Sequence, residues 1–165
     1  MRRALLVALV ALVVAPAAGA KTFNVDWREQ KTTGGRVVAF RITRVVITPT
    51  SWSVKLSIRN GTRGALKVTT PAAMTTPIPH LSILRKEQYR GETALVDDDH
   101  RVAHDPPSSQ LPRSIAKGAT WSGTVSGTGK MRHGRYVVGL GWFVPLDPAA
   151  GGRGFYWITD HSVRY

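Results

Sequence analysis

The densest run of chemistry-bearing side chains is Asp97-Asp98-Asp99-His100-Arg101-Val102-Ala103-His104-Asp105, four carboxylates and two imidazoles within nine residues. Oxygen and nitrogen donors of this kind bind hard or borderline divalent cations, and a cation would relieve the repulsion among adjacent carboxylates. Asp98, Asp99, His100 and His104 are the candidate metal ligands. The spacing fits no standard cage: a calcium loop needs acids at alternate positions and a glycine. Pro106 and Pro107 also cut short any helix that would align His100 with His104. A solvated surface loop whose acids offset nearby arginines accommodates the same residues.

Two other patterns fail on inspection. In Gly123-Thr124-Val125-Ser126-Gly127-Thr128-Gly129-Lys130, five residues separate Gly123 from Gly129 where a phosphate loop has four. Met131 stands where a magnesium-binding hydroxyl belongs. The segment is expected to be a hairpin loop between strands. No Gly-x-Ser-x-Gly elbow occurs. Asp160 and His161, as neighbours on a strand, are expected to point to opposite faces, so they would not form a dyad. No enzyme activity and no bound cofactor are expected, apart from the divalent metal considered above.

The basic surplus is the stronger lead. Lys and Arg number 23 against 10 Asp and Glu; setting aside Arg2 and Arg3 leaves 21 against 10, a net charge of +11. Lys55 and Arg59 fall on the solvent side of one strand, and Lys130, Arg132 and Arg135 cluster further on. These five are the candidate surface-binding residues, attractive to anionic cell-wall polymers or envelope surfaces. A charge that serves only solubility is the plainer alternative. No nucleic-acid-binding motif is present, so specific nucleic-acid recognition is not expected.

At the N-terminus Arg2 and Arg3 precede an apolar run over residues 4–14, then Pro16 and Ala18-Gly19-Ala20. That is the layout of a secretory signal peptide, too short to span a membrane comfortably, so residues 1–20 are expected to be removed on export and to leave no stable membrane span, with an uncleaved signal acting as a membrane anchor as the alternative. The expected location is secreted or extracellular, at the cell envelope. The chain has no cysteine. Disulfides and thiolate metal sites are therefore excluded, and the domain must be held by its apolar core.

Residues 21–35 read as a leader or a short first strand, since Phe23, Val25 and Trp27 alternate. Residues 36–165 then carry β patterning throughout. Phe40 and Ile42 share one parity while Val45 and Ile47 take the other, so this strand must bulge or cross between sheets. Trp52, Val54, Leu56 and Ile58 alternate cleanly with Ser53, Lys55, Ser57 and Arg59, and Asn60-Gly61 follows as a turn pair. Tyr136, Val138, Leu140, Trp142 and Val144 are expected to line one face of a later strand. Tyr156 and Trp157 should take opposite faces of the last strand, leaving one aromatic exposed. Three prolines between residues 70 and 80 and a long loop at 97–114 interrupt the pattern. Seven to eight short strands with turns between them predict an all-β, antiparallel two-sheet sandwich, with a closed barrel as the alternative.

Gly134-Arg135-Tyr136-Val137-Val138 resembles the Gly-x-Tyr-x-Val start of the penultimate strand in immunoglobulin-like and fibronectin-type-III-like domains. The segments Ile115-Ala116-Lys117-Gly118-Ala119-Thr120-Trp121-Ser122-Gly123 and Trp52-Ser53-Val54-Lys55-Leu56-Ser57-Ile58-Arg59-Asn60-Gly61 resemble other strands of secreted bacterial domains of that kind. The resemblance implies an immunoglobulin-like β-sandwich and a tyrosine corner at Tyr136. It implies no activity, because such domains serve many functions.

The functional expectation is a secreted, non-enzymatic binding or adhesion-type module. Its loops at 61–80, 97–114 and 145–154 would recognise a partner, and its basic face would favour an anionic envelope. Two alternatives are a proteinase-inhibitor-like protein acting through a projecting loop at 70–79 or 105–113, and a metal-binding protein using the 97–105 loop.

Overall fold

Alternation of bulky and polar side chains draws the described residues into eleven strands, and among them there is no helix. The computed structural model describes residues 19–33, 35–68, 81–89, 92–95, 110–146 and 154–165. The strands are β1 (Lys21–Thr33), β2 (Arg36–Ile47), β3 (Ser51–Gly61), β4 (Leu66–Val68), β5 (Leu81–Tyr89) and β6 (Glu92–Leu95), then β7 (Ser114–Ile115), β8 (Thr120–Thr128), β9 (Arg135–Pro145), β10 (Phe155–Ile158) and β11 (Val163–Arg164). They build two antiparallel sheets. The first has the order β1-β2-β3-β8; the second runs β6-β5-β9-β4-β7, with β10 and β11 along the other side of β9.

The inward faces of both sheets meet in one core. Val38, Phe40, Ile42, Val45, Ile47, Trp52, Val54, Leu56 and Ile58 come from the first sheet, and Ile83, Tyr136, Val138, Leu140, Phe143 and Trp157 from the second. Phe40 bridges the layers, its ring centroid 5.4 Å from that of Phe143 and 6.1 Å from that of Trp157. Trp52 is 1% exposed, and its indole N–H has no acceptor among the described residues. An orphaned buried donor costs about 1–3 kcal/mol. Burying a large aromatic ring contributes about 4–6 kcal/mol at 25 cal/mol per Å², so the ring stays inside.

The parity change in β2 is resolved by bulges. Between the level of Val45 and Val54 and the level of Ile42 and Leu56, β3 advances two residues and β2 three. Over the same interval β1 advances four, from Phe23 to Trp27. Each extra residue keeps Val45 and Ile47 on the same face as Phe40 and Ile42, and increases the local twist. β2 therefore stays in one sheet. Lys21–Thr33 forms a strand of thirteen residues, longer than a short first strand. Thr33 pairs with Arg36, and just before β2 Gly35 takes φ +71°, a conformation glycine supplies at little cost.

A further bulge corrects the expected face of β9. Phe155 pairs with Phe143 but Trp157 pairs with Leu140, so β9 spends one residue more than β10 over that interval. Phe143 thereby takes the inward position, and Val144 does not continue the row of Tyr136, Val138 and Leu140. The side chain of Trp142 lies outside the described residues.

The connection from β8 to β9 is likewise not a hairpin, because the two strands belong to different sheets. Gly129 N–H donates to the Thr50 carbonyl and Met131 N–H to that of Pro49, both at 2.9 Å. Met131 is buried. The Tyr136 hydroxyl then folds back, donating to the Arg132 carbonyl (2.5 Å) and accepting from its N–H (3.1 Å).

Asn60 is not an exposed turn residue. It is fully buried near the end of β3, where its amide nitrogen donates to the carbonyls of Gly64 and Ile115 and its oxygen accepts from the N–H and hydroxyl of Thr62.

Candidate functional site

The wet face of the first sheet follows from its register. Residues opposite one another form rows across β1, β2, β3 and β8: Thr22-Val46-Ser53-Ser126, Asn24-Arg44-Lys55-Thr124, Arg28-Arg41-Ser57-Ser122 and Gln30-Ala39-Arg59-Thr120. Asp26 sits on the β1 bulge beside the third row. Every aromatic that the first sheet contributes lies on its inward parity. Apart from Val46, Ala39 and the Asp26 carboxylate, the outer face is thus a field of guanidinium, ammonium, amide and hydroxyl groups.

Arg28, Arg41, Arg44, Lys55 and Arg59 are all exposed there, against the single carboxylate of Asp26. Arg28 grips Asp26 through two nitrogens, at 3.0 and 2.6 Å, and Arg41 donates its Nε–H to the same carboxylate at 2.6 Å. The hydrogen bonds from Arg28 and then Arg41 hold the Asp26 carboxyl down to about 2. One anion thus serves two cations. Arg44 donates to the amide oxygen of Asn24 (3.3 Å). Lys55 and Arg59 have no ion-pair partner among the described residues.

The rows repeat about every 7 Å along the strands, so the cations are spread over a surface rather than gathered at a point. Over β2 and β3 the face dips into a shallow, open depression of about 610 Å³, bordered by Arg28, Glu29, Gln30, Phe40, Arg41, Arg59 and Thr120, with Ala39 and Ser57 as its short side chains. The Glu29 carboxylate at its border is paired with Lys31 at 3.1 Å. The free edge of β8 is closed at one place by Gln110, whose side-chain amide pairs with both the N–H (2.7 Å) and the carbonyl (3.1 Å) of Ser126. A side chain there takes the position of a further strand.

Lys55 and Arg59 therefore share one outer face, as their spacing indicates, and the sheet adds Arg28, Arg41 and Arg44 from strands that are distant in sequence. Lys130, Arg132 and Arg135 lie elsewhere. Lys130 and Arg132 are exposed on the crossing between sheets, at the end marked by Pro49 and Thr50. Arg135 opens β9 in the second sheet and pairs with Arg164. The signal that could have joined the face together is the polar parity of β1 and β2, which only register turns into neighbours.

The metal candidates Asp98, Asp99, His100 and His104 lie outside the described residues, as does the loop at 70–79. Among the described residues no group of three or more His, Asp or Glu could hold a metal ion, and no helix is long and apolar enough to cross a membrane. Of the loop at 105–113, the described part does not project: Leu111 is buried, Gln110 holds β8, and the Arg113 carbonyl accepts from Val68 N–H.

Asp160 and His161 fall in a break between β10 and β11, not within a strand, so the expected separation onto opposite faces does not apply. His161 Nε2 stands 3.6 Å from Asp160 Oδ1 with both side chains exposed, and its ring stacks on Trp27. Thr159 spans the break, its hydroxyl accepting from Val138 N–H and donating to the His161 carbonyl. Of the two neighbouring aromatics, Tyr156 is exposed and Trp157 buried.

Comparison with family models, with curated proteins and with solved structures gave no match.

Proposed function

We propose that the chain is an exported, immunoglobulin-like β-sandwich that works as a non-enzymatic binding module, laying the outer face of its first sheet against an anionic, hydroxyl-rich polymer of the cell envelope. The observation that carries this reading is the concentration of five exposed cations and one carboxylate on a face whose other side chains, Val46 apart, are hydroxyl, amide or small. Guanidinium groups match the anions, and the Ser and Thr hydroxyls offer hydrogen bonds to a polyol backbone. The absence of aromatics from the described face disfavours single-stranded nucleic acid, which binds largely by base stacking.

Two features support the architecture. The pairings β2-β3-β8 and β5-β9-β10 match the A-B-E and C-F-G pairings of that fold, and the Tyr136 hydroxyl makes the corner contact to Arg132. Export is supported by the basic, apolar and small-residue segments of residues 1–20.

The purified protein should sediment with cell-wall material at low ionic strength and be released as salt rises. The double reversal Lys55→Glu/Arg59→Glu should reduce retention at least tenfold. Reversing Lys130 and Arg132 instead should have a smaller effect. Salt-independent retention, or equal losses from the two double variants, would count against the face as the binding surface.

A further inference from the structure

We propose that the depression over Ala39 and Ser57 is a phosphate subsite within this face, where Arg41 and Arg59 together clamp one phosphate group of the bound polymer and Asp26 holds Arg41 until the polymer arrives. This rests on the reading of the face as polymer-binding and adds the ligand group and its contacts.

The geometry comes from the register of β2 and β3. Ala39 stands opposite Arg59, and Arg41 opposite Ser57. The two long cations therefore occupy one diagonal of a square and the two short side chains the other. Diagonal neighbours on a sheet face lie about 7–8 Å apart at their Cα atoms, within reach for two guanidinium groups to converge on one tetrahedral anion over the short pair. The depression is there because Ala39 and Ser57 leave the space unfilled. Thr120 adjoins Arg59 on the β8 side and Gln30 adjoins Ala39 on the β1 side, adding hydrogen-bond donors at the rim.

The electrostatics favour exchange of one anion for another. Arg59 is uncommitted among the described residues. Arg41 gives Asp26 only its Nε–H, so its terminal nitrogens are left to present a forked pair of donors to phosphate. Asp26 keeps its second oxygen on Arg28, so it is not orphaned when Arg41 turns to the ligand. Asp26 acts as a tethered competitor, and its removal should tighten binding.

The test is calorimetric titration of the purified protein with linear inorganic polyphosphate at low salt. Arg59→Gln should weaken binding about tenfold, because a charged hydrogen-bonding contact is lost. Asp26→Asn should tighten it about three- to tenfold. Two charge-matched controls on exposed residues that do not line the depression, Arg63→Gln and Asp160→Asn, should each change affinity less than about twofold. Melting temperatures confirm that every variant is folded. If each substitution shifts affinity only as much as its control, or if Asp26→Asn weakens binding, the subsite is overturned while the broader reading of the face stands. If the unaltered protein does not bind polyphosphate in a salt-dependent manner, both fall.

Discussion

Asp26 shows how much one exposed side chain can organise without contributing much stability. Its carboxylate accepts from Arg28 and Arg41 at an exposed site, where ion pairs are individually weak. Its depressed pKa nevertheless fixes the sign of a pH effect. In the unfolded chain the group titrates near 4, while in the fold it is held to about 2. The stability it contributes is therefore complete above about pH 4 and disappears as pH falls through about 2. Comparing melting temperatures of the unaltered protein and Asp26→Asn from pH 7 to pH 2 should give a gap of a few degrees at most, constant down to about pH 4 and closed near pH 2. A gap that widens on acidification would show that Asp26 is not held by these cations.

At the level of strands, the fold depends on devices that correct the alternation of side chains. The clean alternation of Trp52, Val54, Leu56 and Ile58 was enough to predict β3 and its buried face, since a period of two leaves a strand one core-facing side. The break in parity after Ile42 was legible as well, because Val45 and Ile47 must also be buried. The break in β9 was not: Gly141, Trp142, Phe143 and Val144 read equally well in either phase, and only pairing with β10 decides. Asn60-Gly61 looked like a turn because the pair is common in turns. What sequence could not show is that the Asn60 side chain has four partners waiting, one of them the Ile115 carbonyl 55 residues away. Asn60 thus ties the end of β3 to β7. Asn60→Ala should cost about 3 kcal/mol and lower the melting temperature on the order of 10 °C. Asn60→Asp should be no better, since it turns a carboxylate oxygen toward the carbonyls of Gly64 and Ile115. Thermal unfolding by circular dichroism would check both, and a loss below about 1 kcal/mol would contradict the assigned role.

Across the whole molecule, charge and hydrophobicity are segregated by the two-sided nature of a sheet. The aromatic bulk lies between the layers, and the cations of β1, β2 and β3 lie outside the first. Lys55 and Arg59 were identifiable from one strand's alternation. Arg28, Arg41 and Arg44 were not, because their neighbours come from register and from a bulge. Lys130, Arg132 and Arg135 cluster in sequence yet lie off this face, as the chain crosses between sheets just there. The central claim is that the first sheet's outer face, rather than the loops, meets the polymer. Backbone amide chemical-shift mapping during titration with a purified anionic wall polymer tests it most directly. The expected result is a contiguous set of perturbed amides at Arg41, Arg44, Lys55, Ser57, Arg59 and Thr120, lost at high salt. Perturbations confined to the turn at residues 62–64, to Tyr156, or to the crossing at residues 129–134 would contradict it.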